Sequence, residues 1–193
     1  RSLHLGDSDF YNVPADFLSS QTYADSVVNV IMSETPATIP QTGTIQFEWS
    51  SASTTNFCVV DKWGNAVAVN QTVNLWFGSK LTLPGTGVVL NDEMDDFSAQ
   101  PGVPNAFGLI GGEANSIAPG KRPLSSMSPT IVVKGGVPVL LLGGAGGSRI
   151  ITAVLQVIVN VVDFGMTVEK ALEHPRFHHQ FKPNILFTES GFP

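Results

Sequence analysis

The residue pattern that begins at Thr54 constrains the fold of this chain more than any other feature. From Thr54 to Val60 the side chains divide between two faces with a period of two, and after a short polar turn a second run extends from Ala66 to Asn74. This pattern predicts an antiparallel β-hairpin. If Val60 pairs with Ala66, Thr54 lies opposite Thr72. Asn74 then falls one repeat further on the same face.

A second hairpin is expected between Thr130 and Leu142. Its strands run from Thr130 to Val133 and from Val137 to Leu142, with a Lys-Gly-Gly turn between them. Because Pro138 lacks a backbone N–H, its strand should lie near a sheet edge or begin there. The apolar composition of both strands predicts that both faces of this hairpin are buried.

Helices are predicted on either side of these strands. Apolar residues recur at helical spacing between Gln21 and Met32. The glycine-rich stretch after the second hairpin should open a helix from Arg149 to Asp163, with Ser148 as its N-cap and Gly165 at its end. A shorter helix is expected from Val168 to Glu173. Strands followed by helices in this order predict a layered α+β fold.

The composition limits what the chain can bind. Of its 193 residues 42% are hydrophobic and only 13% are charged, with a net charge of −6 and a sequence pI of about 5.0. No cluster of Lys and Arg is present to neutralise phosphates, so nucleic acid is excluded as a partner. The sole cysteine, Cys58, allows no internal disulfide, and the most apolar stretch, Ile150–Val162, is too short to span a membrane.

Four segments together resemble γ-glutamyltransferase, a family of N-terminal-nucleophile hydrolases. They are Thr54-Thr55, residues 91–98 (Asn-Asp-Glu-Met-Asp-Asp-Phe-Ser), residues 121–130 (Lys-Arg-Pro-Leu-Ser-Ser-Met-Ser-Pro-Thr) and residues 146–149 (Gly-Gly-Ser-Arg). They occur in the family's order and spacing across most of the chain. The resemblance implies a four-layer αββα sandwich whose core is formed by two sheets.

Members of this family are made as one precursor that cuts itself into a large and a small subunit. The resemblance implies that residues 1–53 are the C-terminal tail of the large subunit and a linker, and that residues 54–193 are the small, catalytic subunit, incomplete at its C-terminus. The Ser, Thr and Pro content between Ser33 and Ser53 fits such a linker. On this interpretation the chain is a fragment, and the large subunit is its partner.

Thr54 matches the family's nucleophile. On the local sequence alone, Thr54 and Thr55 are ordinary β-branched strand residues; the family pattern makes Ser53-Thr54 the bond that is cut. A threonine hydroxyl is a weak nucleophile and needs a base, which the new α-amine can supply because its reference pKa is near 8. By resemblance, Thr72 orients the Thr54 hydroxyl.

The glycine-rich loop has two interpretations. A phosphate-binding loop is disfavoured because no Lys-Ser/Thr pair follows the glycines. By resemblance, Gly146 and Gly147 form an oxyanion hole, where small residues let backbone N–H groups approach a tetrahedral intermediate. His178 and His179 are adjacent and lack a Cys or acidic ligand at zinc-like spacing, so structural roles and no metal site are expected.

Five polar residues match substrate-binding positions of the family. Asn74, Glu93 and Asp96 match the positions that hold the α-ammonium group of the donor, which amide and carboxylate acceptors suit. Ser125 and Ser126 match the positions that bind its α-carboxylate. Without the family pattern, the adjacent pair Asp95-Asp96 would be interpreted as part of a solvated acidic loop, and Ser125 and Ser126 as part of a structural turn.

Two positions depart from the family pattern. Asn56 stands where the family often has His, and Glu93 stands where a member of the family has Gln. Neither change removes the nucleophile, but Glu93 makes the ammonium site more acidic.

The resemblance implies γ-glutamyl transfer and hydrolysis with no metal or organic cofactor. Glutathione and related γ-glutamyl compounds would form an ester on Thr54, and the acyl group would pass to water or to amino acids and peptides. The family's location implies the periplasm, secretion or the extracellular face of a membrane. Two alternatives remain open: an acylase of the same superfamily that acts on glutaryl-type β-lactam side chains, and an inactive or unprocessed structural homologue that contributes only an interface.

Overall fold

The computed structural model describes residues 4–33, 41–44, 53–181 and 183–193, with the backbone alone for 41–44. Both helices and strands are present in this part of the chain, as expected for the α+β class. The helices are α1 (Ala15–Leu18), α2 (Gln21–Ser33), α3 (Arg149–Val162) and α4 (Val168–Glu173). The strands are β1 (Gln41–Thr44), β2 (Thr54–Val60), β3 (Ala66–Thr72), β4 (Thr130–Lys134), β5 (Val137–Leu142), β6 (Phe177–His178) and β7 (Ile185–Thr188).

The chain divides into two compact units. The first unit comprises residues 1–41 and 94–124, and the second comprises residues 42–93 and 125–193. The sequence-based boundary at residue 53 concerns the processing of a precursor rather than a division in space, so it stays a prediction.

The hairpin β2–β3 of the second unit has the predicted register. Thr54 pairs with Thr72 and Val60 pairs with Ala66 in an antiparallel ladder. The strand β3 nevertheless ends at Thr72, two residues earlier than predicted. Asn74 has a φ of 73°, and this left-handed conformation takes the chain out of the extended backbone of a strand.

The hairpin β4–β5 also forms, with a bulge between Val132 and Val133. Pro138 is the second residue of β5 and pairs with Val133 beside the bulge, where a missing N–H is tolerated. Strand β3 contacts both β4 and β5, and β2 contacts β5. The remaining sheet has the strand order β1–β7–β6.

One face of β5 forms the core of the second unit together with α3. The buried residues of this core are Leu140, Leu142, Ile150, Val154, Val157 and Ala171. Full burial of a side chain such as that of Ile150 stabilises a fold by about 1.5–3 kcal/mol. The opposite face of β5 is exposed to solvent: the exposed fraction is 60% for Val137 and 57% for Val139. The expectation that both faces of this hairpin are buried was therefore wrong.

The helices lie close to their predicted bounds. Helix α2 ends at Ser33, one residue beyond the prediction, α3 ends at Val162, one residue before it, and α4 has the predicted bounds. Ser148 occupies the predicted N-cap position of α3, but its side chain makes no capping hydrogen bond to the helix backbone. No helix among the described residues is long and apolar enough to cross a membrane.

The first unit contains a buried carboxylate, that of Asp7. Asp7 accepts hydrogen bonds from the Arg122 backbone N–H at 2.8 Å, from Nε at 2.9 Å and from Nη2 at 2.7 Å. These bonds hold the pKa of Asp7 well below its usual range and raise that of Arg122. Asp9 also pairs with Arg122, at 2.6 Å, but both of these side chains are largely exposed.

Candidate active site

The predicted nucleophile and its predicted partner are in direct contact. Thr54 Oγ1 donates a hydrogen bond to Thr72 Oγ1 at 3.0 Å. The contact follows from the register, because directly paired residues of two antiparallel strands project their side chains from the same face. The contact lies where β2 begins and β3 ends, and both side chains are partly buried rather than enclosed in a core.

The Thr72 hydroxyl connects three groups. Besides the bond from Thr54, it accepts one from the backbone N–H of Asn74 at 2.9 Å. Its own proton is donated to the carbonyl oxygen of Ser53 at 3.2 Å. That carbonyl belongs to the peptide bond that precedes Thr54. The hydroxyl of Thr54 and the carbonyl that it would attack in self-cleavage are thus held by one side chain.

Asn74 lies beyond the end of β3, in a left-handed backbone conformation. It is 7% exposed and has a φ of 73°, a conformation that Asn adopts more readily than most residues. Its Nδ2 donates to the carbonyl oxygen of Asp92 at 3.3 Å, and the Asp92 carboxylate accepts from the N–H of Leu75 at 3.0 Å. These bonds join the end of β3 to the segment that carries Glu93, so two of the three predicted ammonium ligands lie on connected segments.

Both glycines of the predicted oxyanion hole have backbone conformations that favour glycine. Gly146 has a φ of 133° and Gly147 a φ of 59°, values that residues with a Cβ rarely adopt. The loop leads directly into α3, and the N–H groups of Arg149 and Ile150 bond to the carbonyl oxygens of the two glycines at 3.2 Å each. The N-terminus of a 14-residue helix carries partial positive charge, which favours an oxyanion nearby.

Two amide side chains that the sequence analysis did not assign hold the start of this loop. Asn56 Nδ2 donates to Asn70 Oδ1 at 2.9 Å, and Asn70 Nδ2 donates to the carbonyl oxygen of Gly144 at 2.5 Å. The predicted register already paired Asn56 with Asn70, so this signal was present in the sequence.

A second network holds the end of the loop. Ser148 Oγ donates to Gln180 Oε1 at 2.7 Å, and the same oxygen lies 3.0 Å from Nε2 of His178. The other ring nitrogen of His178 lies 2.8 Å from the Thr152 hydroxyl. His178 is 4% exposed, and this burial lowers its pKa, with smaller contributions from the charges of Arg149 and His179.

The remaining predicted ligands have local partners. Ser125 Oγ accepts a hydrogen bond from the N–H of Met127 at 3.0 Å, and the carbonyl oxygen of Ser126 accepts one from Ser128 Oγ at 3.3 Å. Asp96 lies in the first unit, where its carbonyl oxygen accepts from Asn115 Nδ2 at 2.7 Å. Among the described residues, no group of three or more His, Cys, Asp or Glu side chains could hold a metal ion.

Comparison with known proteins gives a consistent result. A family model described as gamma-glutamyltranspeptidase matches residues 1–193. The glutathione hydrolase proenzyme of Escherichia coli K12 is 50% identical over 194 residues, which cover 100% of this chain and 33% of that protein. The glutathione hydrolase proenzyme of Pseudomonas sp. strain A14 is 48% identical over 197 residues, covering 98% of this chain and 33% of that protein.

A solved structure of a gamma-glutamyltranspeptidase is also similar to this chain. A Thr-to-Ala mutant of Helicobacter pylori gamma-glutamyltranspeptidase matches with a TM-score of 0.70 and 54% sequence identity, over 72% of this chain and 75% of that chain. The chain spans about a third of the length of the curated relatives described above.

Proposed function

Because the chain belongs to the gamma-glutamyltranspeptidase family, we propose that it supplies the nucleophile of an enzyme that transfers or hydrolyses γ-glutamyl groups. The observation that carries the proposal is the Thr72 hydroxyl, which bonds both to Thr54 Oγ1 and to the carbonyl oxygen of Ser53. This arrangement fits a self-cleaving precursor whose new N-terminal residue is Thr54.

Self-cleavage begins with attack of Thr54 Oγ1 on the carbonyl carbon of Ser53. Thr72 donates its proton toward the carbonyl oxygen and so polarises the bond that is attacked. The C–N bond breaks as the nitrogen takes up the proton that Thr54 Oγ1 releases, and the Ser53 carbonyl is left as an ester on Thr54. Water then hydrolyses the ester, which releases a carboxylate on Ser53 and a free amine on Thr54.

The same hydroxyl serves in turnover. The free amine of Thr54 takes the proton as Oγ1 attacks the γ-amide carbonyl of glutathione or a related donor. The backbone N–H groups of Gly146 and Gly147 stabilise the oxyanion, aided by the start of α3. The amine returns the proton to the leaving amide nitrogen, and a γ-glutamyl ester on Thr54 results. Water gives hydrolysis, and an amino acid or peptide gives transfer.

The charged end of the donor is proposed to be held by five polar side chains. Asn74, Glu93 and Asp96 are proposed as acceptors for its α-ammonium group, and the bonds between Asn74 and Asp92 support the first two positions. Ser125 and Ser126 are proposed to bind its α-carboxylate through hydroxyl and backbone donors.

The wider assembly is proposed on the same basis. We infer a four-layer αββα sandwich completed by the large subunit of the same precursor. Large apolar side chains that are exposed in the second unit support a protein partner, since contiguous exposed apolar surface commonly marks an interface. Examples are Trp63 at 76% and Phe77 at 61% exposure.

The proposed function is tested by the Thr54→Ala variant of the full-length protein that contains these residues. It should remain uncut and inactive, because both self-cleavage and acyl transfer depend on the Thr54 oxygen. Intact-mass measurement should detect a chain that starts at Thr54 in the wild type only, and a γ-glutamyl anilide assay should report activity in the wild type only. Thr55→Ala is the matched control and should be cut normally. A Thr54→Ala protein that is cut and active would overturn the proposal.

A further inference from the structure

We propose that Asn70, oriented by Asn56, is a positioning residue that sets the oxyanion loop against the strand of the nucleophile. The oxyanion loop is defined as residues 143–148. The inference rests on the proposed function, because it assigns the residues that hold the proposed oxyanion hole in place.

The bond between Asn70 and the loop joins distant parts of the chain. Asn70 Nδ2 donates to the carbonyl oxygen of Gly144 at 2.5 Å, across 74 positions of sequence. Gly144 lies two residues before Gly146. The bond therefore fixes the backbone immediately before the two N–H groups that would receive the oxyanion.

The orientation of the Asn70 amide is determined by a relay of hydrogen bonds. Asn56 Nδ2 donates both to the carbonyl oxygen of Val69 at 2.8 Å and to Asn70 Oδ1 at 2.9 Å. A carbonyl oxygen only accepts, so the atom of Asn56 that faces Val69 must be its nitrogen. That nitrogen meets the oxygen of Asn70, which leaves the nitrogen of Asn70 facing Gly144. Reversal of either amide would set oxygen against oxygen.

The packing at Gly143 shows how closely the loop approaches the amide pair. A Cβ atom placed on Gly143 would overlap Asn56 Nδ2 and Asn70 Oδ1. The φ of Gly143 is not in the left-handed region, so close approach rather than backbone conformation requires glycine here. The amide pair and the loop are thus in direct van der Waals contact as well as hydrogen bonded.

The position of the pair on the hairpin gives it a role in catalysis. Asn56 lies two residues after Thr54 on β2, and Asn70 lies two residues before Thr72 on β3, so all four side chains project from one face. The loop is rich in glycine and has much conformational freedom to lose. A bond from the nucleophile hairpin to Gly144 fixes the distance between the Thr54 oxygen and the oxyanion hole. A shift of about 1 Å in such geometry can lower a rate about 100-fold.

The test compares two variants of the full-length protein with a matched control. Asn70→Asp keeps an acceptor for Asn56 but removes the donor to Gly144. Asn56→Asp presents an oxygen to Asn70 Oδ1 and so reverses the relay while leaving Asn70 in place. Gln71→Glu makes the same amide-to-acid change on the exposed face of β3. Each protein is assayed for self-cleavage, for kcat and KM with a γ-glutamyl anilide, and for inhibition by a boronic acid analogue of the γ-glutamyl group.

Both Asn variants should lower kcat about 10- to 100-fold and leave KM within about twofold, because the loop acts on the transition state. The inhibition constant of the boronate, whose tetrahedral adduct places an oxygen in the hole, should rise by the same factor as kcat falls. Self-cleavage should stay within about threefold of the wild type, since the Ser53 carbonyl is bonded to Thr72 rather than to the loop. The Gln71→Glu control should match the wild type in all three assays.

Three outcomes would overturn the inference. They are a wild-type kcat in both Asn variants, a loss of kcat without weaker boronate binding, and a failure of self-cleavage that accompanies general unfolding. The last result would show a structural role instead. A wild-type protein with no γ-glutamyl activity would overturn the proposed function itself, and so the two failures are distinguishable.

Discussion

Thr72 donates a hydrogen bond across the hairpin to the carbonyl oxygen of Ser53, 19 positions earlier in the sequence, at 3.2 Å. Ser53 immediately precedes β2, and Thr72 is the last residue of the neighbouring strand β3. The Thr72 side chain therefore reaches the Ser53 carbonyl. In the proposed self-cleavage, the side chain that contacts the nucleophile would therefore also polarise the carbonyl that is attacked.

The first prediction concerns this dual contact. Thr72→Val has nearly the same shape but no hydroxyl, so self-cleavage should slow about 10- to 100-fold through loss of the bond to the Ser53 carbonyl. Thr72→Ser keeps the hydroxyl and should be cleaved at a rate close to that of the wild type. The fraction of cut chain is followed over time on a denaturing gel. Equal rates for all three proteins would show that Thr72 has no part in the cleavage.

The second prediction concerns the proposed ammonium site. Asp96→Ala should raise KM for γ-glutamyl donors about 10- to 150-fold, because a charge-assisted hydrogen bond contributes about 1.5–3 kcal/mol. Glutaryl donors, which lack the ammonium group, should be affected little. The neighbouring change Asp95→Ala is the control, since the Asp95 carboxylate accepts from the backbone N–H of Ala106 at 3.2 Å. Equal losses for both donor types in Asp96→Ala would reject the role and would leave the glutaryl-acylase alternative open.

The third prediction concerns pH and His178. Burial lowers the pKa of His178 below its ordinary value of 6.5, so the unfolded chain binds a proton more readily than the folded one as the pH falls. The stability that neutral His178 contributes to the folded state is complete above pH 6.5 and is lost as the pH falls through the lowered folded-state pKa. The melting temperature should therefore decrease as the pH is lowered from 7.5 to 5.

The His178→Gln variant isolates this contribution. Its amide can bond to neighbours but carries no charge, so its melting temperature should depend less on pH across the same range. His174→Gln changes an exposed histidine and should retain the wild-type dependence. Identical pH profiles for all three proteins would exclude His178 as the origin.

The fourth prediction concerns acid unfolding of the first unit. The pKa of Asp7 is lowered by Arg122, so the stability that this carboxylate supplies is complete above its ordinary pKa of 3.8 and is lost as the pH falls through the lowered value. Arg122→Gln leaves Asp7 with fewer donors and should be less stable at pH 7, with a smaller further loss on acidification. Circular dichroism during an acid titration measures both effects.

A matched pair of changes tests the assignment to Asp7. Asp9→Asn removes only the exposed partner of Arg122 and should change stability little, because exposed ion pairs contribute little. Arg122→Lys keeps the charge but loses the forked geometry, so it should fall between the wild type and Arg122→Gln. An Asp9→Asn protein as unstable as Arg122→Gln would contradict this account.

The sequence predicted the features that depend on local periodicity. Alternation with a period of two and a short turn were enough to place Thr54 opposite Thr72, and the same register paired Asn56 with Asn70. What it could not supply was the end of β3, because the left-handed backbone of Asn74 accompanies bonds to Asp92, 18 positions away.

Tertiary partners also changed the role of single side chains. Ser148 is of a residue type common at N-caps and occupies that position, yet its hydroxyl bonds to Gln180, 32 residues later. A contact over this sequence distance cannot be predicted from local sequence rules. The outer face of β5 is as apolar as the inner one, so its exposure could not be expected from the residue pattern. Precursor processing and the substrate contacts of Asp96, Ser125 and Ser126 remain predictions.

The contact between Gly143 and the two asparagines has a consequence for sequence variation among related proteins. The three positions share one volume, so a residue larger than glycine at 143 requires smaller side chains at both Asn56 and Asn70. Replacement of the Asn56 amide by a ring would likewise demand a different partner at 70 to restore the donor at Gly144. Substitutions at these sites should therefore be inherited together, and alignments of close relatives should show them as a covarying triplet.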